Sequence, residues 1–267
     1  MRARYLLAIV LIVIGVWFLM DDLGLFGGRA WSIFWPIVLI VVGLGFLLSR
    51  YRPARFVGVE DHLALDGATS AKITFRHGAG RLNLMAGADP GRLYSGSFGG
   101  GIDKQVRRTG DALDVVLQPS QQDWARWVVP WNWFGSRTGL DWELRLGSGI
   151  RLELEFETGA SDSHLDLSRL NVARFHVKTG ASSTDMTVPA HGGRTQGRIS
   201  AGAASVKVTI PANVAAHISG AMGLGTIHVG QARFPRQEGY FQSPGFSEAT
   251  DRLELDIDGG VGSVTIR

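Results

Sequence analysis

The hydrophobic positions divide the chain into two parts with different periods. Before residue 50, two long runs, residues 5–20 and 31–48, contain no charged residue. After it, apolar and polar residues alternate, as in residues 150–157 (IRLELEFE), and the same period recurs in SVKVTIP and RLELDID. A period of two places successive side chains on opposite faces of a β-strand. The pattern predicts two helices at the front and an all-β remainder.

The two uncharged runs predict a transmembrane helical hairpin over residues 1–50. A bilayer core needs about 20 apolar residues in a helix, with a lower limit near 17, so the second run fits and the first is marginal. A signal peptide is the alternative for the first run, but no small-residue cleavage site follows it. Residues 9–20 resemble residues 37–48, although apolar helices draw on few residue types. Gly15 matches Gly43, and both would let the helix backbones pack closely.

The arginines predict the orientation of this hairpin. Arg50 and Arg52 follow the second run, and Arg55 lies in the basic juxtamembrane linker expected over residues 51–65. Arg2 and Arg4 precede the first run. The positive-inside rule then places both termini, and the β-rich part, in the cytoplasm at a bacterial inner membrane. The arginines after the second run could also attract anionic headgroups.

Glycine corners recur along the β-rich part at intervals of about 20 residues. An inward apolar residue is followed three positions later by glycine or alanine, and a second strand begins soon after. The inward residues are Phe75, Phe156, Val177, Ile199, Ile218 and Ile257, and the corner residues are Gly78, Gly159, Gly180, Gly202, Ala221 and Gly260. From Phe156 to Ile218 the spacings are 21, 22 and 19, and the last, to Ile257, is 39.

Such a period predicts a β-solenoid over residues 66–267, because one unit cannot close a core alone whereas stacked units can. Residues 231–250 interrupt the pattern and predict an inserted loop. Gly180, as a corner glycine, is expected to need a positive φ and so to tolerate a β-branched residue badly. The motif TGASS at residues 179–183 then predicts a corner rather than a catalytic turn. Ser182 and Ser183 have no G-x-S-x-G context, and sister corners replace them freely.

Composition narrows the chemistry further. Cysteine is absent, which excludes disulfides and thiolate sites, and a net charge of +3 does not argue for nucleic acid. The glycine run at residues 96–101 lacks the Gly-Lys-Ser/Thr of a phosphate loop. The seven histidines show no metal-ligand spacing, and solvated strand positions are predicted for them. Glu153, Glu155 and Glu157 share one strand face and predict a solvated face. No cofactor, metal or catalytic group is expected.

The tryptophan-rich insertion at about residues 121–142 is the most unusual part of the chain. Five of the eight tryptophans occur there: Trp124, Trp127, Trp131, Trp133 and Trp142, with Phe134 beside them. One hypothesis is a cap that closes an open end of the solenoid, since large apolar side chains are usually buried. The other is an exposed surface that contacts lipid or a partner. Trp142 is expected to be buried in either case, because DWELRL has the pattern of a strand.

These motifs resemble a known bacterial arrangement. Residues 15–48 (GVWFLMDDLGLFGGRAWSIFWPIVLIVVGLGFLL) resemble the LiaI/LiaF-like transmembrane region. The corners HGAGRLNL, TGASSTDMTVP, AGAASVKVTIP and DGGVGSVTIR resemble toast-rack β-solenoid domains, including the LiaF-type C-terminal domain. The resemblance implies a membrane-bound modulator of envelope-stress signalling, which usually restrains a sensor kinase. The chain has two apparent spans where LiaF-type proteins often have four.

Two functions follow as hypotheses. The first is a non-enzymatic regulatory or scaffold protein, anchored in the lipid bilayer, that binds a membrane protein such as a sensor kinase. The second is a structural module that self-associates or lies on the membrane surface and has no signalling role. The partner that co-purifies from gently solubilised membranes would separate them.

Overall fold

The structure is a computed structural model, which describes residues 58–120 and 141–267. In these two ranges every regular element is a strand, and no helix is long and apolar enough to span a bilayer. The strands are β1 (Gly58–Ala64), β2 (Ser70–Ala86), β3 (Arg92–Gly99), β4 (Ile102–Thr109), β5 (Ala112–Pro119), β6 (Trp142–Leu146), β7 (Arg151–Asp166), β8 (Val172–Thr179), β9 (Ser183–Thr187), β10 (Arg194–Thr209), β11 (Ala215–Val229), β12 (Tyr240–Gln242) and β13 (Arg252–Ile266). The predicted transmembrane helices lie outside the described residues.

The predicted all-β part is confirmed, and its centre is a parallel stack of bent strands. β2 pairs with β7, β7 with β8 and β9, and these two pair with β10, so that β7, β8, β10 and β9 form a small closed ring of pairings. The inward residues predicted from the sequence stand opposite one another: Phe75 opposite Phe156, Phe156 opposite Val177, and Val177 opposite Ile199. This in-register parallel stacking fits the predicted β-solenoid.

The strand order differs from the chain order at the C-terminal end. β13 lies between β10 and β11, so Ile257 stands opposite Ile199 on one side and Gly220 on the other. Ile218 is buried, as predicted for an inward residue, but it stands opposite Leu255, so Gly220 rather than Ile218 is level with Ile257. Ile218 and Gly220 share a face because the strand period is two, but Gly220 has no side chain and gives no hydrophobic signal.

The opposite end of the stack changes from parallel to antiparallel pairing. β5 and β6 still pair in parallel with the two halves of β2, whereas β4 pairs antiparallel with β5, and β3 pairs antiparallel with β6 and β1. β1 lies within residues 51–65, so the folded part begins earlier than the predicted linker allowed. Asp61 explains why its pattern did not indicate a strand. The Asp61 carboxylate accepts hydrogen bonds from the Tyr94 hydroxyl at 2.6 Å and from Lys104 Nζ at 2.7 Å, where an apolar residue would be expected.

The core follows the inward columns of this stack. Phe75 and Phe156 stack with ring centroids 5.0 Å apart. Val177 is 1 % exposed, whereas the side chain of its outward neighbour Lys178 is 42 % exposed. Burial of a Val-sized or Phe-sized side chain contributes about 1.5–3 kcal/mol, so a repeated column of such residues supplies the main favourable term.

A column of glycines marks the corner of the stack, and its cause differs from the one predicted. None of Gly78, Gly159, Gly180, Gly202 or Gly260 has a positive φ. A Cβ on Gly159 would lie 2.3 Å from the Gly78 carbonyl oxygen, and a Cβ on Gly180 would lie 3.0 Å from that of Gly159. The same contact recurs at 3.0 Å for Gly202 and 2.9 Å for Gly260. Glycine is required because each corner packs against the backbone of the previous one.

Under this corner the interior is polar. The Thr158 hydroxyl donates a hydrogen bond of 3.0 Å to Thr179 Oγ1, one layer further along the stack. His77 stands opposite Thr158, is 1 % exposed, and has its ring 5.2 Å from the Trp142 ring. The prediction that the histidines are solvated was therefore wrong for His77. His77 lies two residues after the inward Phe75, so the strand period of two turns its side chain inward as well. The interior under the corner accepts a polar side chain at this position.

The glycine column predicts unequal effects for two Gly→Ala substitutions. Gly159→Ala places a methyl group against a backbone oxygen that cannot move without shifting β2, and we expect a loss of about 1–3 kcal/mol in unfolding free energy. Gly149→Ala is the matched control, because no heavy atom lies within 4 Å of its added Cβ. Its unfolding free energy should change by less than about 0.5 kcal/mol. Chemical denaturation measures both, and equal stability of the two variants would contradict the packing account.

Candidate interaction surface

The outward face of the parallel stack is a grid of charged side chains. Strand alternation turns every second residue before the corner outward, and in-register pairing aligns these residues in columns. One column contains Lys72, Glu153, Arg174, Gln196 and Glu254, a second contains Thr74, Glu155, His176, Arg198 and Asp256, and a third contains Arg76, Glu157, Lys178, Ser200 and Asp258. Basic and acidic residues therefore alternate between layers over much of this charged face.

Ion pairs connect the layers. Lys178 Nζ lies 2.6 Å from Glu155 Oε1 and 3.2 Å from Glu157 Oε1, so one ammonium group bridges two carboxylates. Arg76 pairs with Glu157 at 3.1 Å, and Arg174 pairs with Glu153 at 3.3 Å. The three glutamates do lie on the outward face, as predicted. They are, however, partners of cations from neighbouring layers rather than free in solvent, and Glu155 is only 22 % exposed.

The pKa shifts of Lys178 and of its partner Glu155 are consistent with each other. Hydrogen bonding from Lys178 holds the pKa of Glu155 below its usual range. Hydrogen bonds to Glu155 and Glu157 raise the pKa of Lys178. Both shifts stabilise the charged forms at neutral pH. The pKa of His176 is lowered by burial and then by Lys178, which favours a neutral ring whose Nε2 lies 3.2 Å from the Ser200 hydroxyl.

The charged face continues toward the C-terminal end as a groove. Its volume is about 730 Å³, and its walls include Arg174, His176 and Arg198 on one side and His217 and Phe246 on the other. Arg198 pairs with Asp256 at 3.1 Å. A surface of paired charges with an aromatic side chain at its edge can form hydrogen bonds and ion pairs with another macromolecule, since charge complementarity provides specificity and speeds association.

The remaining predicted sites fall as follows. Ten of the predicted site residues lie outside the described residues: Gly15, Gly43, Arg50, Arg52, Arg55, Trp124, Trp127, Trp131, Trp133 and Phe134. Ser182 makes a short hydroxyl–hydroxyl contact with Thr179, and Ser183 begins β9, so TGASS occupies a corner. Within the two described ranges, no three His, Asp or Glu side chains converge as metal ligands.

Trp142 is buried, as predicted. It is 0 % exposed, and its indole N–H donates a hydrogen bond of 3.3 Å to the Gly99 carbonyl. Its ring packs edge-on against Phe98 with centroids 5.1 Å apart. This residue is the last of the tryptophan-rich insertion and the first of β6, so the insertion ends at a buried strand position.

Both ends of that insertion meet the described structure at one place. The Gly99 N–H donates to the Asp141 carbonyl at 2.9 Å, and the Ser120 N–H donates to the Gly101 carbonyl at 3.4 Å. Gly58, the first described residue after the predicted membrane anchor, stands opposite Gly99. The turn at residues 99–101 therefore joins the start of the folded part to both ends of the insertion.

Comparison with known proteins gives this arrangement a family. Residues 55–209 match the family model for the N-terminal domain of toast_rack, DUF2154. The chain belongs to the toast-rack family. Residues 2–59 match the model for the LiaF transmembrane domain, so this toast-rack protein is a LiaF-like membrane protein. The two matches confirm the resemblance found in the sequence motifs.

One solved structure shares the toast-rack fold of this chain. It is a crystal structure of a candidate cell adhesion protein from Clostridium sporogenes ATCC 15579, with a TM-score of 0.68 and 18 % sequence identity. The match covers 78 % of this chain and 97 % of the other, and at this identity it shows the fold alone. No curated protein matches the sequence.

Sequence reasoning missed the ion-pair network. Its signal was present as the alternation of Lys72, Glu153 and Arg174, but reading it requires the pairing of strands about 20 to 80 residues apart. The glutamates alone indicated only a polar face.

The network predicts a pH dependence of stability. Because the folded-state pKa of Glu155 is depressed, its contribution is complete above the ordinary carboxyl pKa and is lost as the pH falls through the folded value. Glu155→Gln should cost about 0.5–1 kcal/mol at pH 7 and reduce the loss of stability between neutral and acidic pH. Thermal unfolding across this range measures it. Glu143→Gln, at an exposed strand position of β6, is the control, and an identical pH profile for both variants would contradict the network.

Proposed function

We propose that this toast-rack protein is a non-enzymatic, membrane-anchored modulator of envelope-stress signalling that acts by protein–protein contact. The observation that carries the proposal is the continuity of its two family matches, in which the LiaF transmembrane domain leads directly into the toast-rack domain. The described fold supports it, because β1 begins at Gly58, only about ten residues after the end of the second apolar run. A short connection keeps the domain close to other membrane proteins.

The finer architecture is part of the proposal. The bent strands form a β-solenoid, anchored by a helical hairpin that leaves both termini and the solenoid in the cytoplasm. In-register parallel pairing of β2, β7, β8, β10 and β13 supports the solenoid, and the arginines around the hairpin support the orientation. The partner is a membrane protein such as a sensor kinase, approached from the same side of the bilayer.

The charged face is the contact surface we assign to that partner. Its side chains are held by ion pairs between layers, so little side-chain freedom is lost on binding. Its alternating signs suit a partner with a complementary pattern and exclude partners with a uniform charge. The groove beside Phe246 supplies an aromatic anchor at the edge of this face.

A charge swap tests this assignment without removing the internal ion pair. In the double variant Glu153→Arg with Arg174→Glu, the pair remains while the pattern shown to a partner is reversed. The swap Asp185→Lys with Lys207→Asp, on the strand segments after the corner, is the matched control. We expect the first swap to reduce the kinase that co-purifies from solubilised membranes by at least about tenfold, and the control to leave it unchanged.

Two results would overturn the proposal. Equal loss of the kinase with both swaps would show that the charged face is not the contact surface. Recovery of only copies of this chain from native membranes would favour the structural, self-associating alternative over a signalling role.

The tryptophan-rich insertion is proposed to contact the bilayer interface. Its two ends meet the turn at residues 99–101, where Gly99 stands opposite Gly58, the first residue of β1. Tryptophan is enriched at membrane interfaces, where an amphipathic ring is stable. Trp133→Cys, labelled with an environment-sensitive fluorophore, should be quenched by brominated lipids in nanodiscs. Thr226→Cys, in the last long strand of the parallel stack, should not be. Absence of quenching at residue 133 would favour a solenoid cap instead.

A further inference from the structure

The exposed edge strands at the two ends of the stack differ in charge. β1 and β4 form the edge at the anchor end, and they carry charged residues: Glu60, Asp61, Asp103, Lys104, Arg107 and Arg108. Charged side chains on an edge strand prevent pairing with another chain. Residues 220–229 of β11 (GAMGLGTIHV), at the other end, contain no Asp, Glu, Lys or Arg.

This second edge is only partly covered. β12 pairs antiparallel with β11 at His217, Ile218 and Ser219 and goes no further. Among the described residues, no strand pairs with that side of residues 220–229, whose other side pairs with β13. The pairing with β12 shows that this edge of β11 accepts an antiparallel strand. The backbone donors and acceptors of residues 220–229 continue the same edge beyond β12.

The exposed apolar side chains of this end lie on the same strand and its neighbour. Leu224 is 76 % exposed, the highest value among the large hydrophobic residues that the structure describes as exposed. Val261, on β13, stands opposite Leu224 and is 51 % exposed. Gly220, Gly223 and Gly225 are exposed and carry no side chain that would cover the backbone of this edge. An uncharged edge with an apolar centre is a surface that another strand can cover at little desolvation cost.

We propose that residues 220–229 of β11 are the contact between two copies of this chain. A second copy fits because the stretch is neutral and so does not repel itself, and because two-fold pairing of one strand with its copy is antiparallel, as β12 already is. A two-fold axis at the middle of the stretch brings Leu224 of both copies together and buries the exposed apolar side chain against itself. The anchor places copies in one bilayer, which raises their effective concentration.

Single-cysteine crosslinking of the full chain in its membrane tests the proposal. The natural chain has no cysteine, so any disulfide reports the introduced residue alone. Leu224→Cys should give a disulfide-linked dimer on mild oxidation. Val106→Cys, at an exposed apolar position on the β4 edge of the opposite end, is the matched control and should stay monomeric. Equal crosslinking at both positions would indicate random collision, and no crosslinking at residue 224 would indicate no contact; either result overturns the proposal.

A second measurement does not depend on disulfide geometry. Leu224→Lys with Thr226→Lys places like charges at two exposed positions of the edge, where folding should be unaffected. The dimer fraction of the full chain in detergent, measured by light scattering, should fall severalfold. Val59→Lys with Val106→Lys, on the charged end, should leave it unchanged. A monomeric natural chain, or equal effects of the two pairs, would overturn the proposal whether or not the signalling role holds.

Discussion

The close approach of one corner to the next is the constraint on which the rest of the structure depends. Each added Cβ in the column from Gly159 to Gly260 would lie between 2.3 and 3.0 Å from the carbonyl oxygen of the preceding corner. Strands about 4.8 Å apart cannot hold side chains that point along the stack between them, so the corner must be bare for the layers to remain in register. Because the register is fixed at the corner, the inward residues on either side of it align as well, and the Phe75–Phe156 stack is one result.

The same register creates the charged face. Lys178 can bridge Glu155 and Glu157 only because its strand is aligned with β7 residue by residue, and a slip by one position would turn Val177 outward and Lys178 into the core. The buried column and the outward ion pairs thus select the same alignment. Individual pairs at this exposure contribute little to stability, about 0–1 kcal/mol each. Their larger effect is to penalise the wrong register and to hold long side chains in a defined pattern.

Most of the strand positions could be predicted from the sequence, and the order of the strands could not. Alternation in residues 150–157 and 252–258 identifies strands and their inward faces because burial on one face acts on every second residue. The positions of the corners could be predicted from their spacing, but the physical reason for glycine at each corner could not. A positive φ and a close backbone approach both require glycine, so the sequence does not distinguish them. The insertion of β13 between β10 and β11 leaves no local trace, because pairing is a property of distant segments. Asp61 and His77 were missed because both place a polar group where the pattern expects an apolar one.

The ends of the stack show why a repetitive fold still needs non-repetitive parts. A parallel ladder has two open edges by construction, and each must be covered, charged or paired. At the anchor end, antiparallel strands replace the parallel ones, and hydrogen bonds from Tyr94 and Lys104 to Asp61 attach β1 there. At the other end, the segment after β11 places the buried Phe234 against the last layers, and Arg233 donates to the Val214 carbonyl at 2.8 Å. Within that segment, β12 pairs with β11 at residues 217–219, and this pairing ends at Ser219. Among the described residues, the fold therefore closes its interior at this end and leaves part of its backbone edge unpaired. A regular stack can retain such an edge only where another chain or the solvent satisfies its hydrogen bonds.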